Sequence, residues 1–120
     1  MDDANVPSLM SLAYLGAHKP GDTIYKNTRN FLLSDSNPYY LKGTAAQGQG
    51  SPHTGKEKIW PMGIILRAMT SGDNDEITHC LNLLKKTHAG TGFMHEAFHK
   101  DDPSDFNRKW FAWANTLFGE

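Results

Sequence analysis

With 120 residues, 12 Lys+Arg against 13 Asp+Glu and a formal net charge of −1, the chain is one domain or part of one. It lacks the basic excess of a general nucleic-acid binder. An apolar content of 38% and an aromatic content of 11% exclude a disordered chain. Cys80 is the single cysteine, which rules out an intramolecular disulfide and a cysteine-based zinc site; no apolar run is long enough to cross a bilayer.

The opening Met1-Asp2-Asp3 is acidic where a signal peptide carries its basic region, which favours the cytoplasm. Residues 7–15 then read as a short helix, with Pro7 at its first turn and Gly16 just past its end. Asp22 is the expected N-cap of a second helix, on which Ile24, Thr28, Phe31 and Leu32 share a face. Asn37-Pro38 ends it, because a residue before proline avoids the helical region.

Residues 39–55 break the pattern. Gly43, Gly48, Gly50, Pro52 and Gly55 make a long connection without helical period, and Tyr39-Tyr40-Leu41 fits a short strand. A connection this long inside a domain is functional or disordered, and its aromatic and His flanks favour function. Trp60-Pro61 opens a third helix striped by Met62, Ile65, Leu66 and Met69. Asp73 with Glu76 forms the pattern of a capping box for a fourth. On that helix Ile77, Cys80, Leu81 and Leu84 are expected to face inward, Lys85 and Lys86 suit the last turn, and Gly90 closes it.

A fifth helix is predicted from Asp102 as cap and Pro103 at the first position to about Phe118. It carries one stripe of Phe106, Trp110, Trp113 and Leu117 and a second of Phe111, Ala114 and Phe118. A helix apolar on more than one side is normally buried in a larger protein. The expected fold is therefore all-α, built of helical hairpins, and incomplete.

The densest chemistry lies in GTGFMHEAFHKDDPSDF, residues 90–106. His95-Glu96-Ala97-Phe98-His99 matches the zinc-peptidase pattern HExxH, which works when one helix carries both His a turn apart. Between Gly92 and Pro103 there is room for two or three turns at most. Read without a metal, Glu96 is either a general base or a solvated charge. His53, in Ser51-Pro52-His53-Thr54-Gly55, either donates to a ligand hydroxyl or braces its own loop. Trp60 either stacks on a flat ligand face or belongs to the core. Asp2, Asp3 and Asn5 are either polar ligand contacts or an acidic first turn. Trp110 and Trp113 read as core, and Cys80 as packing.

Seven motifs in order, MDDANVPSL, NTRNFLLSDSNPYY, GSPHTG, IWPMGII, GTGFMHEAF, DDPSDF and KWFAWANTLFGE, resemble the C-terminal part of glycoside hydrolase family 125. The match spans nearly the whole chain. The resemblance implies a metal-independent, inverting exo-α-1,6-mannosidase on an (α/α)6 barrel, with no cofactor and with a mannose-containing oligosaccharide as substrate. Residues 1–120 are then the C-terminal portion of a single catalytic domain, with Met1 an internal position. The resemblance places the general base on Glu96; Asp3, His53, Trp60 and His95 are the candidate substrate contacts. The family's general acid, an Asp, falls on a segment upstream of this chain. Ala97 stands where a Ser is common in the family, and His99 is often replaced there, which makes HExxH a coincidence. The expectation is that the isolated chain is inactive and poorly folded. Two alternatives remain at this point: a zinc peptidase using His95, Glu96 and His99, and a non-catalytic helical sugar-binding module.

Overall fold

The computed structural model describes residues 2–6, 8–17, 19 and 21–120. They form four helices, α1 (Thr23–Leu32), α2 (Pro61–Met69), α3 (Asn74–Thr87) and α4 (Ala112–Gly119). Five short strands accompany them: β1 (Tyr40–Lys42), β2 (Gln47–Gln49), β3 (Lys58–Ile59), β4 (Ala97–His99) and β5 (Phe106–Asn107). The fold is thus α plus β, which corrects the expected all-α piece of an (α/α)6 barrel. The short strand expected at Tyr39-Tyr40-Leu41 is β1; the other four, of two or three residues, are too short to show a period of two and were not separable from loop.

β1 and β2 form an antiparallel hairpin, with Tyr40 opposite Gln49. β3, β4 and β5 form a second antiparallel sheet in that order, with Ile59 opposite Phe98 and Phe98 opposite Phe106. A single bridge from Gly50 to Ile59 joins the two sheets. Gly50 permits that approach, because a Cβ there would lie 2.5 Å from the Lys58 carbonyl oxygen.

The core is built around α2, where Pro61 through Leu66 are all buried. α3 packs on it through Cys80, Leu83 and Leu84. Leu81, expected inside, is 48% exposed. The helix instead turns Leu83, one position before Leu84, and Thr87 inward. On α1 the buried residues are Tyr25 and Leu32. Ile24 and Phe31, assigned to the inner face by spacing, point outward.

Three further expectations change. The first helix reduces to a 3-10 turn at Met10–Leu12, and Pro7 lies outside the described residues. The capping box half forms: the Asp73 carboxylate caps by accepting from the Asp75 N–H, while Glu76 pairs with Arg29 and Arg67. The long fifth helix does not exist as drawn. Asp102-Pro103 makes a turn between β4 and β5, held by Ser104 N–H and Oγ–H donating to Asp102 Oδ1. Asp and Pro favour tight turns for the reasons that favour helix starts, and the strand pairing of Phe98 with Phe106 decided between them. Only α4 remains helical, and Trp110 and Trp113 are 56% and 60% exposed instead of core.

Candidate active site

Glu96 lies at the bend that leads into β4. Its approach is fixed by α4. The Met94 N–H donates to Asn115 Oδ1 (3.0 Å), and Asn115 Nδ2 returns a bond to the Met94 carbonyl (2.8 Å). The Phe111 N–H also donates to the Met94 carbonyl, at 3.1 Å. One side chain thereby holds both backbone groups of the residue two positions before Glu96.

Glu96 itself is 7% exposed. It faces a cavity of ≈ 280 Å³ lined by Asn5, His53, Trp60, Glu96, Phe111 and Trp113. Arg108 Nε stands 3.4 Å from Glu96 Oε2. Arg108 adopts φ 51°, a left-handed conformation that costs a non-glycine residue about 1–2 kcal/mol. The aromatic wall is continuous: Trp60 meets Phe111 edge-on at 6.2 Å between centroids, and Phe111 meets Trp113 at 5.6 Å.

The opposite wall comes from the long glycine-rich connection. A 3-10 turn, Pro52–Thr54, starts at Ser51, whose hydroxyl accepts the His53 N–H at 3.2 Å. It ends at Thr54, whose Oγ1 accepts the Trp60 indole N–H at 2.7 Å. His53 lies between these two ties, with its ring edge-on to Trp60 at 6.4 Å. A loop pinned at both ends holds its imidazole without a long helix behind it.

Of the five residues singled out from the sequence, His53, Trp60 and Glu96 line one cavity. Asp3 stands behind it, accepting from the Ser51 hydroxyl (3.0 Å) and the Asn5 N–H (2.9 Å). His95 is 1% exposed and outside the cavity lining. Its ring stacks on Phe106 at 4.0 Å and 3°. Its Nδ1 is 3.0 Å from the Lys109 carbonyl oxygen, which only accepts, so Nδ1 carries the proton. Phe111 and Trp113 were assigned to helix stripes and their part in the site was missed. Asn5, for which the sequence left open a ligand contact or an acidic first turn, lines the cavity.

The zinc-peptidase geometry is absent. No helix carries the two His: His95 precedes the bend at Glu96 and His99 ends β4, so they do not stand one helical turn apart on a shared face. His99 sits instead with Glu57 and Asp101, the only cluster of metal-ligand type among the described residues. The Lys100 ammonium already lies 3.2 Å from Glu57 and 3.3 Å from Asp101, so a cation neutralises both carboxylates. Burial raises the Cys80 thiol above its usual pKa, which leaves it a packing residue. A larger cavity, ≈ 390 Å³, shares Trp113 but is lined mainly by apolar groups. Its carboxylate, Glu120, is tied to the Tyr14 hydroxyl at 2.6 Å. No helix among the described residues is long and apolar enough to cross a membrane.

A shielded carboxylate, three aromatic rings, an imidazole and an amide around a small cavity are the equipment of a site for a compact polar ligand. The sequence profile of the metal-independent alpha-mannosidases (GH125) matches residues 1–120, and the chain belongs to that family of glycosidases. It is 52% identical over 121 residues to the Meiotically up-regulated gene 157 protein of Schizosaccharomyces pombe, covering 100% of this chain and 24% of that protein. It also matches a solved structure from Streptococcus pneumoniae, described as a metal-independent alpha mannosidase in a non-productive complex with alpha-1,6-mannobiose. That match has a TM-score of 0.96 at 44% identity and covers 99% of this chain and 28% of the other. The chain therefore spans about a quarter of the length of each of these relatives.

Proposed function

We propose that the chain is the base-bearing part of an inverting exo-α-mannosidase that releases a terminal α-1,6-linked mannose. The observation that carries this reading is Glu96, a carboxylate 7% exposed yet opening on a cavity. In the proposed mechanism Glu96 takes a proton from a water, which attacks the anomeric carbon on the face opposite the leaving oxygen. Trp60, Phe111 and Trp113 offer apolar faces to the sugar ring. His53 and Asn5 serve its hydroxyls, with Asp3 and His95 supporting from behind. The linkage is suggested by the α-1,6-mannobiose in the Streptococcus pneumoniae relative.

Inversion needs a second carboxyl group roughly 6.5–9.5 Å away to protonate the leaving oxygen. Among the described residues Glu96 is the only carboxylate lining the cavity. The acid in this reading comes from the further polypeptide that the longer relatives possess, so residues 1–120 are the C-terminal portion of one catalytic domain. The chain alone binds a mannoside and turns it over poorly. That lone carboxylate also favours the second reading, a sugar-binding module without chemistry.

The test places the chain within a full-length family domain and follows α-1,6-mannobiose hydrolysis by proton NMR. The reading expects β-mannose to appear first; α-mannose as the initial product would reject inversion. If no mannose is released but the 120 residues bind mannosides in calorimetry, the binding-module reading stands in its place.

A further inference from the structure

One buried hydroxyl ties together the parts of the cavity that lie far apart in sequence. Ser51 is 1% exposed. Its Oγ lies 3.0 Å from Asp3 Oδ2, and an ionised carboxylate only accepts, so the single hydroxyl proton is committed to Asp3. The two lone pairs then accept, one from Asn5 Nδ2 at 3.0 Å and one from the His53 N–H at 3.2 Å. Asp3 completes the arrangement by taking the Asn5 N–H on Oδ1 at 2.9 Å, with Asn5 Nδ2 also 3.5 Å from Oδ2.

This chain of donors and acceptors fixes which way the Asn5 amide faces. A serine whose proton points at Asp3 cannot also donate to Asn5, so the amide must turn its nitrogen to Ser51. Its carbonyl oxygen is left over, and no described residue donates to it. Asn5 lines the cavity, so that oxygen is the acceptor it has to offer a ligand. Were the serine proton free to rotate, the amide could flip and offer a donor instead.

We infer that Ser51, oriented by Asp3, is a positioning residue that presents the Asn5 carbonyl oxygen to one hydroxyl of the sugar and holds His53 in the same wall. The inference deepens the proposed function and rests on it for the identity of the ligand. Its consequence is a selectivity: the ligand must bring a donor to Asn5, so removing one particular hydroxyl is penalised, because the acceptor then goes unpaired.

The experiment measures, on the 120-residue chain, the affinity for methyl α-mannoside and its monodeoxy analogues. In the unmodified chain one deoxy position weakens binding about tenfold or more. In Asn5→Ala and in Ser51→Ala that penalty falls to about twofold or less, while penalties at the other positions persist; Ser51→Thr, which keeps the hydroxyl, retains it. A Ser51→Ala variant that weakens every analogue equally and leaves the deoxy penalty intact overturns the inference. A second readout needs no sugar. The Asn5 side-chain amide protons exchange slowly in the unmodified chain and fast in Ser51→Ala and Asp3→Ala at unchanged overall fold by backbone NMR; unchanged exchange rejects the positioning role. If no mannoside binds at all, the carbohydrate reading fails, while amide exchange still decides the role of Ser51.

Discussion

The cavity depends on side chains that hold backbone rather than ligand. Asn115 satisfies both the N–H and the carbonyl of Met94, and also donates to the Phe111 carbonyl at 2.8 Å. No aspartate or leucine of similar size reproduces both a donor and an acceptor. Asn115→Ala leaves those groups short of partners, at a cost of about 1–3 kcal/mol. It also frees the segment that carries Glu96. The expected outcome is a lower melting temperature together with a lower kcat on α-mannosides in a full-length domain; equal stability and equal kcat would show that the clamp is dispensable. Sequence made part of this site legible and hid part of it. Glu96 and His53 stood out because each sits among turn residues with little else to do. Asn5 was legible as one of two readings, ligand contact or acidic first turn, but its tie to Ser51 was not, because the two are 46 positions apart and only the fold brings them together. Phe111 was misread because a helical period continued backwards through residues 106–111 places it on a buried stripe, whereas the helix starts at Ala112; Trp113 lies on α4 but on its exposed side.

At the scale of elements, three helices meet at one carboxylate. Glu76 on α3 lies 2.8 Å from Arg29 Nη2 of α1 and 3.0 Å from Arg67 Nε of α2, with its side chain 16% exposed. Arg29 also donates to the Arg67 carbonyl at 2.6 Å. Burial by itself raises the Glu76 pKa. Hydrogen bonds from Arg29, Ser71 and Arg67 and the charge of Arg29 outweigh it and hold the carboxyl at about 2, against an ordinary 4.5. A carboxyl with a depressed folded-state pKa contributes stability that is complete above its unfolded value and lost as pH falls towards the folded one. The stability gap between the unmodified chain and Glu76→Gln is therefore expected to be full at pH 7, to shrink between about 4.5 and about 2, and to close below that. Melting temperatures across the range check this; a gap independent of pH would refute the ionic origin. The helices of this cluster were readable, since α1 and α3 carry Asp22 and Asp73 as caps, α2 starts at Pro61, and each carries an apolar stripe. The inward face was read correctly on α2, where Met62, Ile65 and Leu66 are buried, but only in part on α1 and α3, where Glu76, read as half of a capping box, instead joins Arg29 and Arg67.

The whole molecule exposes 6461 Å² at 13.4 kDa, against about 6,500 Å² for an ordinary folded chain of that mass. Its core closes around α2. The last segment leaves large aromatic rings exposed. Trp110, Trp113 and Phe118 are 56%, 60% and 50% exposed, and exposed aromatic rings are adhesive towards other apolar surfaces. Replacing Trp110 and Phe118 by Ser, away from the cavity lining, is expected to reduce concentration-dependent association of the 120-residue chain in sedimentation experiments without lowering mannoside affinity; undiminished association would place the sticky surface elsewhere. The central claim remains the role of Glu96, and it has a direct measurement: kcat and mannoside Kd for Glu96→Gln beside the unmodified sequence, both within a full-length family domain. A base at Glu96 predicts a loss in kcat of at least roughly 100-fold with Kd little changed. A kcat within a few-fold of the unmodified enzyme would mean that another group activates the water.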